Sequence, residues 1–330
     1  MRAPSILAID KLSLEFPIYK GAVKALNGVT LEVAPGEIVG VVGESGSGKS
    51  VTSMTAMRLL IDGSFTVTTG AITMLGKDIV RASEKTMLGL RGSQVAMIFQ
   101  EPMTALNPTR RIGDQMVEVI RLHRKFKKRE AQIEAARLLR EMHIGDPEQI
   151  LRHYPFELSG GMRQRVLIAL AFSCEPKLLI ADEPTTALDV TVQRQVLLLL
   201  REKARQLNTA VLFITHDMAV VSQFCDRVYV MYAGSVVENG PTAEVISAPR
   251  HPYTQGLLKA LPDRVPPRTP LEAIPGTVPD LARLPSGCVF ASRCPRARKA
   301  CTVVPDLHPV DASGSHQVAC WAVQEEETQP

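Results

Sequence analysis

The sequence predicts an α/β fold built around a parallel sheet with crossover helices, and three observations support this prediction. An apolar run at 38–42 is followed by the glycine-rich string GESGSGKS at 43–50 and then by a helical pattern. A second apolar run, LLIA at 178–181, lacks the alternation of a half-exposed strand and ends in two carboxylates. From 178 to 240, strand and helix patterns alternate, which favours a parallel sheet.

Two further regions add subdomains to this sheet. Residues 5–40 predict antiparallel strands, and a glycine-marked hairpin follows at 65–80. From about residue 103 to 172 the periodicity is helical, which predicts an inserted helical subdomain. In its helix at 128–142 the apolar residues recur at Ile133, Ala136, Leu138 and Leu139.

The string at 43–50 fits G-x-x-x-x-G-K-[ST], the phosphate-binding P-loop, and it has the strand and helix that the motif requires. Its glycines let backbone N–H groups face a phosphate, aided by the N-terminus of the next helix. Lys49 is expected to reach the β- and γ-phosphates of ATP, and Ser50 to ligate Mg²⁺. We expect the whole string to hold the nucleotide: Gly43, Glu44, Ser45, Gly46, Ser47, Gly48, Lys49 and Ser50.

Two adjacent carboxylates end the second buried strand, in the string LLIADEP at 178–184. Carboxylates in this position are costly unless they serve a cation or a reaction. Asp182 is expected to hold Mg²⁺ through its water shell. Glu183 is expected to be catalytic, as the group that orients the attacking water or accepts its proton.

Together with LSGGM at 158–162 and ITHD at 214–217, these motifs resemble those of the ATP-binding subunits of ABC transporters. The resemblance covers about residues 5–260 and implies the P-loop NTPase core of the ABC ATPase type. In that family an LSGGQ signature closes over the γ-phosphate of the partner subunit's ATP. The resemblance gives this role to Ser159, Gly160 and Gly161, whereas Met162 replaces the usual glutamine, as it does in peptide-transporter members.

The same resemblance assigns four isolated residues. Gln100 is similar to the glutamine that contacts Mg²⁺ and senses the membrane partner, and Asp189 to the aspartate that crosses the dimer interface. His216 is similar to the catalytic switch histidine that touches the γ-phosphate. Tyr19 is the candidate to stack on adenine, although Phe16 is close enough in the sequence to compete.

Composition excludes several classes of protein. The 330 residues are 45% hydrophobic but contain no apolar run of about 18 residues, so we expect neither a membrane span nor a signal peptide. The net charge of +4 does not indicate a nucleic-acid binder. A basic run at 121–129 predicts a solvated helix end, with contact to anionic lipid or an acidic loop of a membrane partner as the alternative. There is one P-loop and no internal repeat, unlike the tandem ABC proteins of translation.

After about residue 240 the chain becomes rich in proline, which predicts an extended region. The string APRHPYT at 248–254 resembles the HPY-type extension of oligopeptide/dipeptide permease ATPases. We therefore expect two parts, a nucleotide-binding domain at 1–245 and a small C-terminal extension rich in proline and cysteine at 246–330. The resemblance directs the expected cargo towards peptides.

Four of the six cysteines lie close together near the end of the chain: Cys288, Cys294, Cys301 and Cys320. Four thiols in a loop-rich segment suggest a metal site, and four thiolates suit either a [4Fe–4S] cluster or Zn²⁺. Their spacing does not match the usual C-x2-C zinc pattern. The family resemblance favours [4Fe–4S]; unligated thiols, or His308 or His316 in place of one ligand, remain alternatives.

The sequence thus predicts an ATP-hydrolysing subunit of a bacterial ABC importer for di- or oligopeptides. The resemblance implies a second, paralogous ATPase subunit, two transmembrane permease subunits and an extracytoplasmic substrate-binding protein as partners, and no nucleic acid. It implies a peripheral position on the cytoplasmic face of the inner membrane. The alternatives are import of nickel, opines, glutathione or sugars, a soluble ABC ATPase of repair or translation, and a regulatory protein with a redox- or iron-sensing metal site.

Overall fold

The chain forms two compact units in the computed structural model. The first consists mainly of Arg81–Phe213, together with Val33–Glu37 and the residues before Leu7. The second consists of Leu7–Glu32, Ile38–Val80 and the chain from Ile214 onward. The residues that the structure describes are 4–100, 105–186, 188–261 and 272–328. The expected start of the helical subdomain at 103 and the prolines at 262–270 lie outside them.

The strands and helices alternate along much of the chain. The strands are β1 (Leu7–Ile18), β2 (Gly21–Val33), β3 (Ile38–Val42), β4 (Thr66–Met74), β5 (Lys77–Asp78), β6 (Val95–Ile98), β7 (Leu178–Asp182), β8 (Ala210–Thr215), β9 (Arg227–Tyr232), β10 (Ser235–Pro241), β11 (His308–Pro309) and β12 (Gln317–Val318). The helices are α1 (Lys49–Ala56), α2 (Glu84–Leu88), α3 (Ile112–Arg124), α4 (Lys128–Glu141), α5 (Pro147–Ile150), α6 (Gly160–Phe172), α7 (Val190–Gln206), α8 (Met218–Phe224), α9 (Thr242–Ser247), α10 (Pro252–Lys259) and α11 (Trp321–Thr328). None of the helices in the described stretches is both long and apolar enough to cross a bilayer.

In the first unit, β6 and β7 pair in parallel, with Val95 opposite Leu178 and Ile98 opposite Ala181. Every residue of β7 is buried, as expected for a parallel strand covered on both faces. The strand therefore carries its terminal Asp182 and the following Glu183 out of a fully apolar layer, which fixes the positions of both carboxylates.

The helix expected at 128–142 in the first unit is present as α4. Helix α4 buries Ala131, Ala135, Leu138 and Leu139, which recur at the 3.6-residue period of one helix face. Ile133, one of the recurring apolar residues, is 65% exposed and lies outside this buried face. Alanines make up much of the buried face, and their small side chains allow close approach of neighbouring helices.

In the second unit, the antiparallel sheet has the strand order β2-β1-β4-β5. This matches the strands and the hairpin expected from the sequence. Leu7 lies opposite Met74 and Leu14 opposite Val67, with a bulge near Lys11, whose φ is 45°. Bulges bend a strand and increase its twist, so β1 curves along its length.

A second set of strands in this unit runs in the order β11-β12-β10-β9-β3. The strands β3 and β9 are parallel, with Val42 opposite Val230. The C-terminal β12 pairs antiparallel with β10, where Val318 lies opposite Glu238. A small cluster of buried Val318, Cys320, Ala322 and Val323 accompanies this pairing. The C-terminal residues thus extend the sheet that carries the strand before the P-loop.

The proline-rich region was expected to be extended, and its described part departs from this expectation at two helices. It contains α9 and α10. Pro252 is the first residue of α10, a position where proline lacks only an N–H that would have no partner within the helix. The effect of a proline on helix formation therefore depends on its position, which the number of prolines does not show.

Candidate functional site

The P-loop at 43–50 connects β3 to α1 in the second unit. Gly48 is the N-cap of α1 with a φ of 98°, and a Cβ there would meet the Ala25 carbonyl oxygen at 2.8 Å. A Cβ on Gly43 would meet the Met231 carbonyl oxygen at 2.1 Å. Both glycines are required because the loop backbone passes directly against neighbouring backbone.

Lys49 is 5% exposed, and its ammonium lies inside the curl of the loop. Its Nζ donates to the carbonyl oxygens of Gly43 at 2.8 Å and Glu44 at 2.9 Å, and to Oγ of Ser47 at 3.3 Å. The positive charge of Lys49 is thus enclosed by the curved backbone of the P-loop. Such an arrangement suits an anionic phosphate group.

The carboxylate of Glu183 follows directly on β7 in the first unit. Glu183 has a φ of 46°, a left-handed conformation that costs a non-glycine residue about 1–3 kcal/mol and is typical of functional sites. Its Oε2 accepts hydrogen bonds from Nε2 of Gln100 at 3.3 Å and from Oγ1 of Thr186 at 2.9 Å. Asp182, one position earlier, is 4% exposed. The structure therefore brings Gln100 and Glu183 together, as two of the predicted site residues.

The signature residues begin α6. Ser159 is the N-cap, and its Oγ accepts the N–H of Met162 at 3.3 Å. Gly160 and Gly161 form the first turn, where unpaired N–H groups and the helix dipole favour an anion. A Cβ on Gly161 would lie 2.6 Å from Cγ1 of Val192, so the second glycine permits close approach of α7.

Three other predicted site residues are exposed. Asp189 is exposed and caps α7, accepting the N–H of Val192 at 2.9 Å. His216 is exposed just after β8, and Asp217 caps α8. Tyr19 is 98% exposed between β1 and β2, so its ring is accessible to a planar ligand. The roles predicted for Asp189, His216 and Tyr19 stay predictions.

The four C-terminal cysteines carry free thiols and lie in the second unit. Burial raises the pKa of Cys288 to about 11, and the nearby thiols of Cys301, Cys294 and Cys320 add to this rise. Burial likewise raises the pKa of Cys294. Within the described residues, however, no group of three or more His, Cys, Asp or Glu side chains has the arrangement of a metal site. The predicted [4Fe–4S] ligation is therefore not confirmed, although the thiols are near one another.

Among the described residues, some side chains that sequence analysis missed contact predicted site residues. Thr186 binds Glu183, while Tyr253 and Arg293 bind Glu44 of the P-loop. Thr186 could have been found, because it lies three positions after Glu183 in the same turn. Arg293 is separated from Glu44 by 249 positions, and no local pattern signals such a contact.

Comparison with known protein families agrees with these motifs. The family model described as ABC transporter matches residues 26–186, which include the P-loop, the signature and the end of β7. A second model, described as oligopeptide/dipeptide transporter, C-terminal region, matches residues 237–301. The second match covers the HPY string and three of the four C-terminal cysteines.

Curated relatives match along nearly the whole chain. The "Probable D,D-dipeptide transport ATP-binding protein DdpD" of Escherichia coli is 61% identical over 321 residues, covering 97% of this chain and 98% of the relative. The "Dipeptide transport ATP-binding protein DppD" of Bacillus subtilis is 47% identical over 316 residues, covering 96% and 94%. Identity at this level over full length establishes common family membership.

Solved structures agree on the fold. The structure of cbiO1 from Clostridium perfringens, part of the ABC transporter complex cbiONQ, is 27% identical with a TM-score of 0.63, covering 74% of this chain and 92% of that chain. The dimeric post-hydrolysis state of the ATP-binding cassette MJ0796 with ADP and phosphate has a TM-score of 0.64 at 24% identity, covering 72% and 98%. The fold is that of an ABC ATPase cassette, as the sequence predicted, and the chain belongs to the oligopeptide/dipeptide family of ABC transporter ATP-binding subunits.

Proposed function

We propose that this chain binds and hydrolyses ATP as one of the two ATPase subunits of a bacterial importer of di- or oligopeptides. One observation carries the proposal. A P-loop and an LSGGM signature occur in the same chain as a C-terminal region matched by the oligopeptide/dipeptide transporter model. The P-loop and the signature support ATP binding and hydrolysis, and the C-terminal region supports peptides as the class of cargo.

The site residues are proposed to act as follows. The P-loop (Gly43 to Ser50) holds the phosphates of ATP, Tyr19 stacks on adenine, and Ser159, Gly160 and Gly161 bind the γ-phosphate of ATP held by the partner subunit. Ser50, Gln100 and Asp182 supply the hard oxygen ligands that Mg²⁺ prefers, and bound Mg²⁺ would neutralise phosphate charge. His216 contacts the γ-phosphate, and Asp189 crosses to the partner.

Hydrolysis is proposed to depend on the orientation of Glu183. Phosphoryl transfer needs little covalent help from the protein, so positioning of water and stabilisation of charge supply most of the rate. Glu183 accepts the proton of the attacking water, and the hydrogen bonds from Gln100 and Thr186 hold its Oε2 in place. ATP binding closes two subunits on each other, and hydrolysis allows them to reopen.

The partners and location follow from the same proposal. A second, paralogous ATPase subunit completes each ATP site. Closure of the two ATPase subunits changes the conformation of two transmembrane permease subunits. An extracytoplasmic binding protein delivers the substrate. The chain then sits peripherally on the cytoplasmic face of the inner membrane, with residues 1–245 as the nucleotide-binding domain and 246–330 as the extension.

The four C-terminal cysteines are proposed to ligate a [4Fe–4S] cluster, with Zn²⁺ as the alternative. The four thiols are donors of the right kind, and their mutual proximity is what raises the pKa of Cys288 beyond the effect of burial. Cys288 and Cys301 are also joined through the backbone, where the Cys288 N–H donates to the Cys301 carbonyl at 2.9 Å.

Uptake in the native host tests the proposed function. Labelled dipeptides, longer peptides and nickel would be given to wild type and to a chromosomal Glu183→Gln strain. Loss of peptide uptake alone is the expected result. Loss of nickel or another non-peptide would retain the importer and overturn the cargo, whereas unchanged uptake of every compound would favour a soluble or regulatory ATPase.

A further inference from the structure

Glu44, the second residue of the P-loop, is held by two residues from the C-terminal part of the chain. Its backbone N–H donates to Oη of Tyr253 at 2.9 Å. Its carboxylate accepts two hydrogen bonds from the guanidinium of Arg293, at 2.7 Å to Oε2 and 3.2 Å to Oε1. All three residues belong to the second unit. Both the backbone and the side chain of this loop residue are therefore fixed from outside the strand–loop–helix motif.

The guanidinium of Arg293 is fixed on every side. Besides the two bonds to Glu44, it donates to the carbonyl oxygens of Pro275 at 2.9 Å and Ile274 at 3.1 Å, and to Oη of Tyr232 at 3.3 Å. These contacts use all five of its N–H donors. The Arg293 side chain is 5% exposed. A buried, planar and fully bonded guanidinium has little freedom to move, so Arg293 sets the position of the Glu44 carboxylate.

Three aromatic rings support this contact. Phe290 packs against Tyr232 with ring centroids 5.1 Å apart and against Tyr253 at 5.4 Å, and the two tyrosines lie 4.7 Å apart. Tyr253 and Phe290 are fully or almost fully buried. Tyr253 and Phe290 thus belong to one packed cluster. Tyr253 accepts the Glu44 amide N–H, and Phe290 directly precedes the turn that carries Arg293.

Arg293 ends a short 3₁₀ turn, Ala291–Arg293, between Cys288 and Cys294. The Ala291 N–H donates to the Cys288 carbonyl at 3.1 Å, and the Cys294 N–H donates to the Ala291 carbonyl at 3.3 Å. Both cysteines are therefore joined to the turn by backbone hydrogen bonds. Any change that displaces Cys288 or Cys294 must be accommodated by the turn, and hence by the guanidinium at its end.

We propose that Arg293 is a positioning residue of the nucleotide site, which holds the P-loop through Glu44 and thereby links ATP affinity to the conformation of the cysteine-bearing turn at 288–294. Linkage of this kind is reciprocal, so bound ATP also stabilises the turn. The inference rests on ATP binding by the P-loop and is independent of the cargo and of the identity of any ligand on the cysteines.

A double-mutant cycle on the full-length chain tests the first half of the proposal. Arg293→Met is expected to raise the Kd for a non-hydrolysable ATP analogue about tenfold, and Arg293→Lys to raise it less. Glu44→Gln is expected to have a similar effect. In the double variant the effects are expected not to add, because the two side chains act as one unit. Arg298→Met, which removes a second arginine–glutamate pair of the same segment, is the matched control and should leave the Kd unchanged.

Two outcomes would overturn the proposal. One is an unchanged Kd in a folded Arg293→Met protein. The other is full additivity with Glu44→Gln, which would mean that Arg293 acts only by supporting the C-terminal fold. Absence of ATP binding by wild type itself would instead count against the proposed function.

Amide hydrogen exchange tests the reciprocal half. The ATP analogue is expected to slow exchange in a peptide spanning 288–294 of wild type and of Arg298→Met, and to have no such effect in Arg293→Met. The linkage would be refuted if wild type binds the ATP analogue but the exchange rate of this peptide does not change. Because exchange reports backbone opening, it responds whether or not the cysteines carry a ligand.

Discussion

The hydroxyl of Thr186 donates a 2.9 Å hydrogen bond to Oε2 of Glu183, the carboxylate oxygen that also accepts from Gln100. Thr186 is bound through its backbone as well, since its N–H donates to the Glu183 carbonyl at 3.4 Å. One turn of chain therefore fixes both the unusual backbone conformation of Glu183 and the direction of its side chain. A carboxylate oriented in this way needs less rearrangement when a water molecule is to be activated.

Replacement of Glu183 by glutamine is expected to leave ATP binding intact and to lower kcat at least about a hundredfold. The amide keeps the size of the side chain but cannot accept the proton of the attacking water. ATP affinity and steady-state phosphate release would be measured on the same preparation. Turnover within a few-fold of wild type would remove Glu183 from the role of general base.

Thr186→Val is expected to lower kcat about tenfold with little change in KM, because it removes one hydrogen bond that orients Glu183 without touching the nucleotide. Thr186→Ser retains the hydroxyl and should keep most of the activity. Phosphate release over a range of ATP concentrations separates the two constants. Equal losses in the valine and serine variants would show that the methyl group, not the hydroxyl, matters.

Gly161→Ala is expected to destabilise the fold by about 1–3 kcal/mol, because the new Cβ would overlap Cγ1 of Val192. Gly160→Ala is the matched control, since its Cβ would make an ordinary 3.5 Å contact with Leu188. Urea unfolding would compare the two variants. Val192→Ala in the Gly161→Ala background should restore much of the loss; no recovery would place the strain elsewhere.

Acid should destabilise the second unit through His251. Burial lowers the pKa of His251 to about 4, partly opposed by the nearby charge of Glu238. The unfolded chain takes up a proton below about pH 6.5 and the folded chain does not, so stability is full above pH 6.5 and falls as the pH drops towards 4. The loss at pH 5 is expected to be about 2 kcal/mol.

Unfolding in urea at pH 7 and pH 5 measures this loss. His251→Gln should unfold with a smaller difference between the two pH values than wild type. His143→Gln, which changes an exposed histidine, should behave as wild type does. If His251→Gln keeps the full difference, other groups are responsible for the acid sensitivity.

Protein purified without oxygen is expected to be brown, with iron and sulfide near four per chain. Cys294→Ser should lose the colour and the iron, whereas Cys174→Ser, which changes a thiol of the first unit, should keep both. A colourless protein with one zinc would establish the alternative metal. Colourless protein without iron or zinc, from a strain able to build clusters, would leave the thiols without a ligand.

The sequence predicted those parts of the site that arise from continuous segments. The apolar strand before Gly43, the glycines of the P-loop and the buried strand before Asp182 are each defined within a few residues, so pattern and spacing were sufficient. The sequence also predicted helix up to residue 172, whereas the N-cap role of Ser159 emerged only from the structure.

What the sequence did not predict depends on contacts between distant segments. The Arg293–Glu44 pair joins residues 249 positions apart, and no pattern in either segment signals the contact. The exposure of Ile133 is set by which face of α4 meets its neighbours, which composition cannot reveal. The positive φ of Glu183 is likewise imposed by its surroundings, because glutamate alone does not favour it.

The carboxylate of Glu238 in β10 is fully buried and accepts the N–H groups of Arg250 and His251 and a 2.7 Å hydrogen bond with Nε2 of His316. A shortened chain that stops before residue 300 would lose His316 and the strand β12 together. The buried carboxylate of Glu238 would then lack its partner His316. The stretch of β10 that pairs with β12 would expose backbone groups that can pair with other chains. Truncation to a minimal ATPase core is therefore expected to yield an aggregating protein.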